Sequence, residues 1–254
     1  MIKELQKGRL KVKISESRTE SGQLAAKEAA KYVIELLDRK DEVNIIFASA
    51  PSQNEFLAGL LEYPVDWTRI NAFHMDEYIG IDPESPQSFG KFIKDRVFSK
   101  VKLKSANYFN AKAEDTEAEC RRYASLLKQM PADMVFLGIG ENGHLAFNDP
   151  HVAFFDDPRD VKVIDLDPAC RQQQVNDGCF QKLEDVPVYA YTITIPELLY
   201  ANRLFAIVPT KFKANAVKAT CDGPITTECP ASILRTHRNC TLYIDTDSAS
   251  LVAQ

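Results

Sequence analysis

The stretch Val43-Asn44-Ile45-Ile46-Phe47-Ala48-Ser49-Ala50-Pro51-Ser52-Gln53-Asn54-Glu55-Phe56-Leu57-Ala58-Gly59-Leu60-Leu61-Glu62 contains the unit that decides the fold. Residues 43–48 form a short apolar run rich in β-branched and aromatic side chains, which predicts a buried strand. Ser49 to Ser52 form a turn, and Gln53 to Glu62 predict a helix. A buried strand running straight into a helix is the building block of a parallel sheet, because a parallel neighbour must be reached by a crossover.

The same alternation extends in both directions. Before it, Leu24, Ala25, Ala29, Tyr32, Val33 and Leu36 recur at helical spacing, predicting a helix over Ser21 to Asp38. After it, Ala72-Phe73-His74-Met75 reads as a strand end and Ser88 to Val97 as a helix. Met134 to Leu137 reads as a strand. Further strands are expected at Val161 to Ile164, Tyr189 to Ile195 and Leu204 to Val208, with a helix over Phe212 to Cys221. The expected architecture is α/β: a mostly parallel open sheet flanked by helices on both faces, Rossmann-like, in a single domain over residues 1–254. In such sheets ligands sit beyond the carboxyl ends of the strands.

Bulk properties narrow the function. The 254 residues are 45% hydrophobic and 26% charged, with a net charge of −5. That balance suits a globular body with a large core. It disfavours nucleic-acid binding, which depends on basic surfaces, but leaves room for one basic pocket around a small phosphorylated ligand. No apolar run approaches a membrane span, and the first seven residues lack the apolar core of a signal peptide, so a cytoplasmic protein with no membrane partner is expected. The six cysteines show no CxxC pair, so reduced thiols are expected rather than disulfides or a zinc site.

Three strand ends carry candidate chemistry. Ser49-Ala50-Pro51-Ser52 offers two hydroxyls and backbone N–H groups to an anion such as phosphate. Taken alone, it is more simply a strand-to-helix turn with Ser52 as N-cap. Phe73-His74-Met75-Asp76-Glu77-Tyr78-Ile79-Gly80 puts two adjacent carboxylates after an apolar strand, where burial is costly unless the groups are exposed or used. A partly desolvated carboxylate at a pocket rim can take a proton from carbon. Gly138-Ile139-Gly140-Glu141-Asn142-Gly143-His144-Leu145-Ala146-Phe147-Asn148-Asp149-Pro150 places three glycines within six residues, permitting tight turns and close approach to a ligand. His144 in that loop suits proton transfer near neutrality, and Asp149 could orient its imidazole.

The Met75-Asp76-Glu77-Tyr78 motif and the Gly138–Pro150 loop together resemble the signature of the glucosamine-6-phosphate deaminase/isomerase family. The resemblance covers most of the chain, from the turn at Ser49 to the segment Cys229-Pro230-Ala231-Ser232-Ile233-Leu234. It implies that Asp76 is a general base moving a proton between C2 and C1 of an open sugar. It implies that His144 assists ring opening, with Asn142 and Asp149 in its relay. By the same resemblance Ser49, Ala50 and Ser52 belong to a phosphate loop, and Arg171 and Lys213 contact the phosphate. Two positions depart from the family's usual pattern: Asn142 stands where several members have aspartate, and Asp149 where they have glutamate. The implied reaction converts glucosamine 6-phosphate and water to fructose 6-phosphate and ammonium. It needs neither metal nor organic cofactor, and assembly into a homo-oligomer is compatible with it. Two alternatives stand beside it: a 6-phosphogluconolactonase-like hydrolase, whose loop also carries a Gly-x-Gly-x-Asp-Gly-His pattern, and a sugar-phosphate-binding regulator without turnover.

Overall fold

A computed structural model describes residues 1–253. In chain order its elements are β1 (Lys3–Lys7), β2 (Leu10–Ser15), α1 (Arg18–Leu37), β3 (Val43–Phe47), α2 (Asn54–Leu60), β4 (Ile70–His74), β5 (Asp76–Tyr78) and α3 (Phe89–Ile93). Then come β6 (Ser105–Asn107), α4 (Thr116–Gln129), β7 (Met134–Leu137), β8 (Val161–Asp165), α5 (Pro168–Asn176), β9 (Tyr189–Ile193), α6 (Ile195–Tyr200), β10 (Arg203–Ile207), α7 (Ala214–Asp222) and β11 (Cys240–Asp245). One π-helical turn, Lys94–Phe98, continues α3.

The main sheet has eight strands in the order β1-β2-β11-β10-β7-β3-β4-β6. All neighbours run parallel except the edge strand β1, which pairs antiparallel with β2. The expected strand at the start of the decisive stretch is therefore central, flanked by β7 and β4. Its side chains alternate between faces, as a strand requires. Ile45 and Phe47 pack with Ala25, Ala29 and Val33 of α1 and with Phe56 and Leu60 of α2, whereas Ile46 joins the opposite core with Tyr123 and Leu127 of α4. Burial on both faces explains why the strand reads as an unbroken apolar run.

The helical segment after β3 begins at Pro51, two residues before the expected start at Gln53, and Ser52 is not its N-cap. Pro51–Gln53 forms one 3₁₀ turn before α2, because Ala50 is still extended and the proline fits the first turn. Two of the expected strands belong elsewhere. β8 and β9 leave the parallel sheet and form a separate antiparallel sheet with β5, in the order β5-β9-β8. The apolar character of Val161–Ile164 and Tyr189–Ile193 is genuine, but periodicity cannot tell which sheet a strand will join.

This small sheet positions chemistry. Met75 is the hinge between β4 and β5, and its carbonyl accepts a hydrogen bond from Ile193 N at 2.9 Å. Asp76, the next residue, pairs with Thr192 across the second sheet. A third apolar cluster, containing Tyr78, Phe89, Phe147, Ile164 and Leu166, fills the space beneath it.

Candidate active site

The carboxyl ends of β3, β4, β7 and β10 open onto one cleft of about 760 Å³, counted out to its mouth. Ser49, Ala50 and Ser52 line it from the end of β3, Asp76 from beyond β4, His144 from the loop after β7, and Lys213 from the loop after β10. Ser49 and Lys213, 164 positions apart in sequence, thus share one cavity, the arrangement expected at the carboxyl edge of such a sheet.

The loop after β7 builds a hydrogen-bonded relay. His144 Nδ1 lies 2.8 Å from Asn142 Oδ1 and 3.1 Å from Asp149 Oδ1. Asn142 Nδ2 donates to the same Asp149 oxygen at 2.9 Å, and Asn142 Oδ1 also accepts His144 N at 3.1 Å. These bonds fix the amide orientation, since the flipped amide would turn its NH₂ group toward two donors. With only oxygens facing Nδ1, the neutral imidazole carries its proton there and leaves the Nε2 lone pair free. Among the described residues nothing hydrogen-bonds to Nε2. Asp149 is fully buried, and its second oxygen accepts Asp167 N at 3.0 Å. Burial would raise its pKa, but the hydrogen bond and charge of His144, with Asn142 and the Asp167 N–H, bring it below the ordinary value.

Glycine makes the relay possible. A Cβ on Gly140 would stand 2.1 Å from His144 Cε1, inside the space the ring occupies. Gly143 has φ +86°, and a Cβ there would meet Cys229 Sγ at 2.7 Å.

Asp76 is almost fully buried, and its pKa is raised well above the ordinary value, first by desolvation and then by the neighbouring Glu77. A carboxylate held in that condition is a stronger base than one in water. Glu77 itself is committed to structure: Oε2 accepts Ser88 Oγ at 2.7 Å and Gly90 N at 2.9 Å, while Oε1 accepts Phe89 N at 3.2 Å. It caps the start of α3, where the N–H groups of a first turn favour negative charge. The adjacent carboxylates therefore divide: one faces the cleft, the other holds a helix.

The far end of the cleft is built for an anion. Lys213 is 6% exposed, and desolvation lowers its pKa, although Asp177 and Glu141 act in the opposite direction. Its ammonium forms no salt bridge or hydrogen bond among the described residues. A buried, unpaired ammonium is costly and is stabilised by an incoming anion. The loop that delivers it is strained: Thr210 has φ +82°, unusual for a β-branched residue, and is held by Asp245, whose carboxylate oxygens lie 3.0 and 3.2 Å from Thr210 N. On the facing side Ser49 Oγ is buried with no partner.

The sequence model describing glucosamine-6-phosphate isomerases and 6-phosphogluconolactonases matches residues 16–243. The chain belongs to this family. It is 35% identical over 235 residues to a glucosamine-6-phosphate deaminase of Listeria innocua, covering 92% of this chain and 98% of that one. It is 33% identical over 228 residues to a glucosamine-6-phosphate deaminase of Streptococcus sanguinis, covering 89% and 95% of the two. A solved monomeric glucosamine-6-phosphate deaminase superposes with a TM-score of 0.87 at 30% identity, over 94% of this chain and 99% of its own. The 6-phosphogluconolactonase of Thermotoga maritima shares the fold, with a TM-score of 0.76 at 19% identity over 92% and 98%.

Within the frame of the glucosamine-6-phosphate isomerase/6-phosphogluconolactonase family, most of the expected site residues meet. Asp76, His144, Ser49, Ala50, Ser52 and Lys213 line the cleft, and Asn142 and Asp149 stand behind the histidine. The shorter Asp149 side chain still reaches the imidazole. Lys213, rather than the exposed Lys211, points inward. Arg171 requires correction. It is absent from the cleft lining, and its Nη2 donates to the carbonyls of Leu183 at 2.8 Å and Val186 at 2.9 Å. On α5 it projects from the side that braces the 183–186 turn, while Gln173, Gln174 and Asp177 face the cleft. A helix places residues two apart on different faces, and a match by neighbouring identity cannot reveal which face is turned inward. The sequence reading also missed Arg18, which lines the cleft from the start of α1.

His144, Asp149 and Cys170 present donor atoms within 4.8 Å of one another, a set that could hold a metal ion. In this arrangement the first two already satisfy each other as a hydrogen-bonded relay. All six cysteines are free thiols in this structure. Among the described residues no helix is long and apolar enough to cross a membrane.

Proposed function

We propose that this protein is a glucosamine-6-phosphate deaminase, converting an amino sugar phosphate and water to a keto sugar phosphate and ammonium. The observation that carries the reading is one cleft that joins a desolvated carboxylate, a relay-held imidazole and an unpaired buried ammonium. The names of the relatives agree with it.

Each group has a task suited to its state. Lys213 and the Ser49–Ser52 loop hold the phosphate, orienting the sugar along the cleft. His144 Nε2 takes the proton of the anomeric hydroxyl and delivers one to the ring oxygen, opening the ring, while Asp149 and Asn142 keep the other nitrogen protonated and stabilise the imidazolium. Asp76 then removes the C2 proton and returns it to C1 through an enolamine. The resulting C2 iminium adds water and expels ammonia, which leaves as ammonium. No step calls on a redox change. Retention of both a proton-shuttling carboxylate and a poised imidazole favours turnover over simple binding, since binding uses neither. We read residues 1–254 as one functional unit acting on a small soluble sugar phosphate.

The test is a substrate panel. Glucosamine 6-phosphate, galactosamine 6-phosphate and 6-phosphogluconolactone are incubated with the full chain, with ammonia and acid release followed separately. Ammonia from an amino sugar phosphate supports the reading. Acid release from the lactone alone, or phosphate-dependent binding without turnover, overturns it.

A further inference from the structure

We propose that Arg18, from the first turn of α1, is the guanidinium that completes the phosphate end of the cleft in place of Arg171, and that with Lys213 it selects phosphorylated over unphosphorylated amino sugars. This deepens the reading above and rests on it.

Among the described residues lining the cleft, Arg18 and Lys213 supply the arginine and lysine side chains. A phosphate near neutrality carries between one and two negative charges, which a single ammonium does not match, and planar donor pairs suit its oxygens. Arg18 is held beside the anion loop itself. Its Nη2 donates to Pro51 O at 3.1 Å and to Glu55 Oε2 at 2.7 Å. Pro51 lies between the two serines that line the cleft, and Glu55 is in the first turn of α2. One guanidinium nitrogen is therefore used to fix the group. Nε is buried without a partner, and Nη1, on a side chain that is partly exposed, is left for solvent or a ligand. Ser49 Oγ, buried in the same loop, also has no partner. A cation pinned by one nitrogen, with Nε unpartnered, and lining the same cleft as the unpartnered Ser49 hydroxyl, is a preorganised half of an oxyanion clamp.

Asp177 bears on the charge at this end of the cleft. It lines the same cleft and lies near enough to Lys213 to oppose the fall in its pKa. An acid there reduces the positive field Lys213 can offer. A second cation lining the same cleft then adds to the field that holds a dianion. The other cleft-facing groups of α5, Gln173 and Gln174, are neutral, and Gln173 Oε1 already accepts Glu141 N at 2.8 Å.

The experiment measures ammonia release from glucosamine 6-phosphate and protection against thermal unfolding by inorganic phosphate. It compares the unaltered protein with Arg18→Ala, Arg18→Lys, Glu55→Gln, Lys213→Ala and Arg171→Ala. Loss of a charge-assisted bond predicts that Arg18→Ala raises KM about 10- to 100-fold and weakens phosphate protection in parallel, with kcat changed by about threefold or less. Arg18→Lys should recover part of that loss. Arg171→Ala should lower stability and leave KM alone. Glu55→Gln separates contact from bracing: it frees the guanidinium from its carboxylate, so KM should hold or fall. If Glu55→Gln weakens phosphate binding as much as Arg18→Ala does, Arg18 only braces the loop and the proposal is wrong. It is equally wrong if Arg18→Ala leaves KM and phosphate protection within twofold, whatever Lys213→Ala does. Should Arg18→Ala fail to fold, Arg18→Lys and Glu55→Gln decide alone. Should the unaltered protein release no ammonia, the functional reading fails, while the phosphate titration still judges Arg18.

Discussion

Replacing Asp149 by asparagine tests the relay most directly, because the outcome can be worked from its hydrogen bonds. Oδ1 faces two donors, Asn142 Nδ2 at 2.9 Å and His144 Nδ1 at 3.1 Å, and Oδ2 faces a third, Asp167 N, at 3.0 Å. An asparagine has one acceptor and one donor group. With its oxygen toward His144 its NH₂ opposes Asp167 N–H, and turned over it opposes both side chains. At least one bond to a buried charged acceptor is lost in either pose, about 1.5–3 kcal/mol. For a chain of this size that lowers Tm by about 3–12 °C. The same loss at an imidazolium formed during ring opening lowers kcat about 10- to 100-fold, and KM should change little because phosphate is bound elsewhere. Thermal unfolding and coupled ammonia release measure the two effects. A variant that loses Tm but keeps kcat within twofold would reduce Asp149 to a structural carboxylate and refute the relay. The pH dependence provides a second check. Asp149 titrates below its ordinary value of 3.8, so its contribution to stability is complete above that pH and is lost as pH falls through the depressed value. The acid-side decline of stability should therefore be shallower in the variant.

Three further outcomes follow from the same geometry. Asp76→Asn should abolish ammonia formation while raising Tm, because burial beside Glu77 penalises the charged form; the gain should grow as pH rises above 3.8 and disappear below it, and calorimetry across that range checks the sign. Gly140→Ala introduces a carbon 2.1 Å from His144 Cε1, so kcat should fall more than about 100-fold with the far-UV spectrum unchanged; activity near that of the unaltered protein would mean that the ring can move without cost. Lys213→Met removes a buried unpaired charge, so the ligand-free protein should be more stable but no longer protected by inorganic phosphate, as differential scanning fluorimetry would show.

What the residues alone determined was local. The doubly buried strand Val43–Phe47, the strand Met134–Leu137 and the helices around them are written in side-chain periodicity, which is set by neighbours a few positions away. The two loops carrying Asp76 and His144 announce themselves for the same reason, since carboxylates after an apolar run and closely spaced glycines are local anomalies. Tertiary structure decided everything that depends on which surfaces meet. β8 and β9 could have extended the parallel sheet, and only their pairing with β5 shows that they form a second one. By residue type and neighbours Asp76 and Glu77 look equivalent, and only the family resemblance singles out Asp76; packing supplies the physical reason, giving one to the cleft and the other to the start of α3. Arg171 and Arg18 were told apart by the same means: one guanidinium spends its donors on the 183–186 turn, while the other, 31 residues before Ser49 in the chain, is folded against the anion loop. Periodicity records which way a side chain faces within its own element. The partner across a cleft is set by crossings between distant elements, and no local pattern encodes it.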